Sequence, residues 1–143
     1  MKRIHANISQ EMLSDENEYR KRIDLLRSRA NLLSGRDKLL MTMYLEKGNS
    51  FRQMARLAGV NETIIARRIR KVTNRLMESE YIVCLRNRDK FTKTEMAIAK
   101  DHFLIGLSMK KIAIRRHLTF YRVRETLRKI RQTITTIQRQ NSV

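Results

Sequence analysis

An all-α fold is what this chain of 143 residues predicts, and three observations carry the prediction. The chain has no proline and four glycines, so it offers few of the turn residues that hairpins need. Apolar residues recur at helical spacing, as at Ile65, Ile69, Val72 and Leu76. The chain also repeats itself. Residues 48–55 (Gly-Asn-Ser-Phe-Arg-Gln-Met-Ala) align with residues 106–113 (Gly-Leu-Ser-Met-Lys-Lys-Ile-Ala) at an offset of 58. The same register carries Val60 onto Leu118, Ile65 onto Val123, Ile69 onto Leu127 and Val72 onto Ile130. A fixed offset with apolar matched to apolar argues for two copies of one small unit. The expected architecture is two tandem three-helix helix-turn-helix units preceded by an amphipathic N-terminal helix.

Residues 1–33 form the tail and the first helix, with residues 1–11 loosely ordered. Ser14, Asp15 and Glu16 open that helix with acidic residues suited to its positive end. Tyr19, Ile23, Leu26, Ala30 and Leu33 follow at alternating spacings of four and three, widened by Leu25 and Leu32. This seam either covers the core of the first unit or pairs two chains as a homodimer.

The first unit is residues 34–78. Ser34-Gly35-Arg36-Asp37 resembles a capping box, and Leu39, Leu40, Met43 and Tyr44 give the next helix its buried face. Lys47-Gly48 ends that helix. Ser50 with Gln53 caps a short helix that turns Met54, Ala55 and Leu57 inward. Ala58-Gly59-Val60 makes a turn, and Asn61 caps a helix from Glu62 to about Met77. Its inner stripe is Ile65, Ile69, Val72 and Leu76, with Thr63, Arg67, Arg70 and Lys71 outside.

Residues 79–91 connect the copies, and the apolar, β-branched stretch at residues 81–85 favours an extended, partly buried connector. The second unit is residues 92–138, followed by a tail at 139–143. Thr92 with Glu95 caps a helix carrying Met96, Ile98, Ala99, Phe103 and Leu104. Ser108 caps the next, with Met109, Ile112 and Ala113 inward. Thr119 caps the last, whose inner stripe is Val123, Leu127, Ile130 and Ile134 and whose outer face offers Phe120, Tyr121, Arg124 and Arg128.

Net charge is +18, with an isoelectric point near 11.1. Lysine and arginine outnumber acidic residues by 7 to 5 in residues 1–33, 10 to 4 in 34–78 and 11 to 3 in 92–137. The excess sits in the repeats, and a polyanion is its natural partner. The lone Cys84 allows no internal disulfide and no zinc set, and fits a buried inert thiol in a reducing cytoplasm. Residues 1–6 are basic but lead into no apolar stretch, so neither a secretory signal nor a membrane span is expected. No cofactor or metal is expected. The acidic residues are scattered, and no serine or tyrosine stands in a nucleophile setting, so the chain reads as non-catalytic.

Two capped helices with arginine-rich outer faces suit the DNA major groove. Candidate contacts in the first copy are Ser50, Arg52, Asn61, Glu62, Thr63, Arg67, Arg70 and Lys71. Those in the second are Ser108, Lys110, Lys111, Thr119, Tyr121, Arg122, Arg124 and Arg128. Ser50, Asn61, Ser108 and Thr119 mark helix N-termini whose amides can meet phosphates. Residues 51–65 (Phe-Arg-Gln-Met-Ala-Arg-Leu-Ala-Gly-Val-Asn-Glu-Thr-Ile-Ile) resemble the helix-turn-helix of region 4 in sigma-70-type RNA polymerase sigma factors, a pattern similar to that of LuxR-type regulators. Met54-Ala55 match the family's Ile-Ala pair, Ala58-Gly59 its Leu-Gly turn, Asn61 its cap and Ile64-Ile65 its Thr-Val pair. The resemblance covers about residues 36–77. It implies that Asn61, Glu62, Thr63, Ala66, Arg67 and Arg70 face DNA. The second copy departs from the pattern, with His117 at the turn glycine and Arg116 at a usually apolar position. The chain also lacks the promoter-melting domain of a whole sigma factor.

The expected function is a sequence-specific, nucleoid-associated transcription regulator that binds double-stranded DNA. Three alternatives stay open: a sigma-region-4 mimic docking on RNA polymerase, the DNA-binding arm of a transposase or recombinase, and an RNA-binding protein.

Overall fold

The computed structural model describes the backbone of residues 10–142 and the side chains of residues 15–142. Eight α-helices account for most of it: α1 (Gln10–Ala30), α2 (Gly35–Leu45), α3 (Phe51–Ala58), α4 (Glu62–Glu78), α5 (Glu80–Arg86), α6 (Lys93–Ala99), α7 (Met109–Arg116) and α8 (Phe120–Asn141). A 3-10 turn spans Arg88–Lys90, and α6 continues as a π-helical turn over Lys100–Ile105. No strand occurs among the described residues, so the all-α expectation holds.

The helices gather into two compact units, one reaching to Ala66 and the other starting at Arg67, with the division inside α4. In the first, α1 packs on α2 and α2 on α3. Its core holds Leu26, Leu33, Leu40, Met41, Leu45, Met54 and Ile65. In the second, α8 lies against α5, α6 and α7. Its core includes Leu76, Cys84, Ile98, Leu104, Ile112, Val123, Leu127 and Ile130, each no more than 1% exposed.

Several sequence expectations need correction. The stretch at residues 81–85 is not extended: α5 is a helix. Tyr81, Ile82 and Cys84 are buried while Val83 and Leu85 are only half-buried. That is the one-sided pattern of a helix and not the alternation of a strand. Burial of the helical face outweighs β-branched propensity. Ser34 stands at the N-cap of α2 but makes no side-chain cap bond. Leu39 and Tyr44 are exposed, and the buried face of α2 runs through Asp37, Leu40, Met41 and Leu45 instead. Leu57, expected inward, points to solvent. The reading of residues 1–11 as loosely ordered lies outside the described residues up to residue 9. α1 already starts at Gln10, before Ser14, and α8 runs on into the expected tail.

The seam of α1 divides. Leu26 and Leu33 are buried, Ile23 and Ala30 half-buried, and Tyr19 exposed. Its C-terminal half therefore covers the core, and residues 15–22 do not.

Backbone details repeat at the offset of 58. Gly48 and Gly106 both take positive φ, at 63° and 86°. Asn49 N–H donates to the Met43 carbonyl at 3.0 Å, and Leu107 N–H donates to the Asp101 carbonyl at 2.9 Å. Helix α3 ends in a left-handed residue, Gly59 at φ 70°, and α7 in His117 at φ 57°. Val60 N–H then reaches back to the Ala55 carbonyl, and Leu118 N–H to that of Ala113, at 3.0 and 2.9 Å. This is a Schellman closure, made twice. The inner stripes of α4 and α8 are buried at every matched position.

Candidate nucleic-acid interface

Each copy presents a capped helix, a left-handed turn and a second capped helix. In the first, Ser50 and Gln53 form a reciprocal capping box. Gln53 N–H donates to Ser50 Oγ at 3.1 Å, and Ser50 N–H donates to Gln53 Oε1 at 2.8 Å. Asn61 Oδ1 accepts from Thr63 N–H at 2.8 Å at the start of α4. In the second, Ser108 Oγ accepts from Lys111 N–H at 3.2 Å, and Thr119 Oγ1 from Arg122 N–H at 3.0 Å. The four cap residues are thus occupied in closing their own helices. The amides of Gln53, Thr63, Lys111 and Arg122 are already satisfied, which narrows the expected phosphate seats to the amides nearest each cap.

All sixteen candidate contact residues are exposed. On α4, Thr63, Arg67, Arg70 and Lys71 fall at helical spacing opposite Ile65, Ile69 and Val72. No ion pair among the described residues engages Arg67, Arg70 or Lys71. On α8 the arginines are more constrained. Arg124 lies over the Tyr121 ring at 5.5 Å and within 3.6 Å of Glu125, which Arg128 also approaches at 3.5 Å. These pairs are solvent-exposed on the arginine side and hold orientation more than they add stability.

Two arginines of α7 have a different task. Arg116 Nε and Nη2 donate to the two carboxylate oxygens of Asp101 at 2.8 and 3.0 Å, and Arg115 Nη1 lies 3.7 Å from the same group. Asp101 is 1% exposed. The bond to Asp101 holds the Arg116 guanidinium charged, raising its pKa above the ordinary arginine value despite some desolvation. Arg116 thereby anchors α7 to the π-turn.

Sequence reading found Arg124 and Arg128 but missed Arg131 and Arg139, which extend them into a row along α8. Arg124, Arg128, Arg131 and Arg139 line one open groove together with Leu127 and with Met109 of α7. The spacings of four and three from Arg124 to Arg131 are legible on a helical wheel, and Arg139 joins them only once α8 is known to continue past residue 138. Arg131 sits over the Phe103 ring at 5.4 Å and beside His102 Nε2 at 3.4 Å. His102 Nδ1 lies 3.0 Å from the Leu107 carbonyl. With Nδ1 as the donor, Nε2 is left to accept from Arg131.

Among the described residues no group of three or more histidine, cysteine or acidic side chains is placed to hold a metal ion. No helix among them is long and apolar enough to cross a membrane. Burial raises the Cys84 thiol to about 11, with a smaller push from the charge on Glu80. No family model matches the chain, and neither does any curated protein or solved structure.

Proposed function

We propose that this protein binds duplex DNA through α4 and α8 and acts as a sequence-specific transcription regulator with two reading helices. One observation carries the reading. At both copies, the same capped helix and left-handed turn lead into a helix whose inner stripe is buried and whose outer face keeps exposed arginines. A helix about 10–12 Å across fits the major groove, and forked arginines match guanine edges there. The net charge of +18 supplies the sequence-independent attraction. The resemblance of residues 51–65 to sigma region 4 supports the same reading for the first copy.

Selection from a random duplex pool across a salt series tests it. A defined motif with two sub-sites is the expected outcome. Enrichment of no sequence, with affinity falling steeply in salt, would reduce the protein to a polyanion binder. Replacing Arg67 and Arg70 by alanine is expected to relax preference at one sub-site, by about 1–3 kcal/mol for each arginine that grips a base. Replacing Arg124 and Arg128 acts on the other.

A second reading, docking on RNA polymerase, is favoured by two apolar side chains left exposed on the first copy, Leu57 (72%) and Ile64 (52%). Binding to purified core polymerase without DNA, abolished in Leu57→Arg, would favour docking over direct DNA reading.

A further inference from the structure

The N-terminal half of α1 is a helix without a visible reason to be one. Every residue from 15 to 22 is exposed. Among the described side chains of α1 the first buried one is Leu26, and Arg27 is tied to the same unit, donating to the Leu45 carbonyl at 3.3 Å and facing Glu46 at 3.7 Å. Toward the N-terminus the stripe that begins in the core runs out into solvent. Ile23 is half-buried and Tyr19 is 66% exposed. A helical stretch with eight successive exposed residues, 15–22, is marginal in water, and tyrosine is a side chain that favours interfaces.

Charge says what covers it. Residues 10–18 contain four acidic residues and no basic one, whereas residues 19–30 contain five basic residues and one acidic. Complementing the helix dipole accounts for such a bias only in the first and last turns. Glu18, Arg20, Lys21 and Arg22 stand mid-helix, and the local pair of Glu18 with Lys21, at 3.7 Å, is exposed on both sides and weak. A helix with opposite charges on its two halves complements itself when reversed.

We infer that a second copy of this chain covers the free half of α1, helix against helix and antiparallel. A parallel pair would stack acidic half on acidic half. In the antiparallel pair a two-fold axis crosses near Asn17 and Glu18, within the exposed stretch. Tyr19 then packs toward Glu16 of the other chain in the seam, and Asp15 flanks the seam opposite Arg22, twice by symmetry. Leu26 and Leu33 stay in their own core, so the interface is shorter than the full heptad seam and draws its orientation from charge. This inference does not depend on what the protein binds.

Light scattering and sedimentation of the full chain at micromolar concentration test it. The wild type is expected at twice the 17.1 kDa chain mass, and Tyr19→Lys as a monomer with unchanged helical circular dichroism. Asp15→Lys is expected to weaken the dimer about tenfold at low salt, and adding Arg22→Asp to restore it. A monomeric wild type would overturn the proposal. So would a dimer indifferent to Tyr19→Lys, and one weakened by Asp15→Lys without rescue would overturn the antiparallel pairing.

Discussion

At the offset of 58, Met43 and Ala58 of the first copy become Asp101 and Arg116 of the second, and Gly59 becomes His117. The backbone hardly registers the exchange, since both copies close two successive helices with the same pair of wide turns. The chemistry of closure changes. The first copy relies on glycine freedom and apolar residues, and the second on a buried carboxylate gripped by a guanidinium and on a histidine in a left-handed conformation. One local geometry can therefore be reached by two sets of interactions, and they differ in what breaks them.

The largest effect is expected at the ion pair. Arg116→Ala leaves Asp101 buried with only Arg115, 3.7 Å away and half-exposed, as a counter-charge. Stranding such a charge is expected to cost about 3 kcal/mol. The matching change in the first copy, Ala58→Gly, is expected to cost about 1 kcal/mol through helix propensity alone. Combining Arg116→Ala with Asp101→Met recreates the first copy's pair and should recover most of the stability. Urea denaturation of the single and double variants checks this. A double variant no more stable than Arg116→Ala would show that the pair does more than neutralise itself.

The offset also carries Leu26 onto Cys84, both buried. Only the second can ionise. Its folded pKa of about 11 lies above the ordinary 9.0, so the unfolded chain gives up this proton first. The stability that the neutral thiol provides is intact below pH 9 and is lost as pH rises toward 11. That is on the order of 2 kcal/mol. Burial raises Tyr81 in the same direction. The melting temperature is expected to fall more steeply over this range in the wild type than in Cys84→Ala. Parallel curves would mean that the thiol is hydrated.

Gly48 and Gly106 separate backbone strain from crowding. Both have positive φ, but a Cβ at Gly48 meets nothing within 4 Å. At Gly106 it would run into the Arg75 guanidinium, which donates to the Ile105 carbonyl at 3.3 Å. Gly48→Ala is expected to cost about 1 kcal/mol from conformation alone. Gly106→Ala should cost roughly 1 kcal/mol more as Arg75 swings aside and gives up its bond. In an Arg75→Ala background the excess should vanish, which thermal melts of the four variants can resolve.

How much of this is legible in the sequence follows from the same comparison. The inner stripes of α4 and α8, the caps at Ser50, Asn61, Thr92, Ser108 and Thr119, and the left-handed turn at His117 all rest on short-range spacing, and each appears in the structure. What the sequence hides depends on partners distant along the chain. Whether Leu39 or Met41 is buried is decided by which face of α2 meets α1 and α3, and the helical state of α5 by packing against α6 and α8. Arg116 reads as a departure from the repeat because its partner, Asp101, stands fifteen residues earlier. The candidate contacts are legible as exposed groups because surface residues need only a helical period, not a partner.

The smallest effect is expected at the turn that the two copies share. His117 is the only residue other than glycine with positive φ among those described, at φ 57° and ψ 45°. A left-handed conformation costs a residue with a Cβ about 1–2 kcal/mol. Glycine there removes that strain but gives back roughly 0.4–1 kcal/mol through the greater freedom of the unfolded chain. His117→Gly should therefore stabilise the protein by about 0.5–1 kcal/mol, and Gly59→His should destabilise it by a similar amount. The side chain of His117 is exposed, so no packing loss offsets the gain. Equal and opposite shifts in urea midpoint would show that the two turns are energetically one device. A His117→Gly variant that loses stability would mean that the imidazole makes a contact in solution that its exposed position does not suggest.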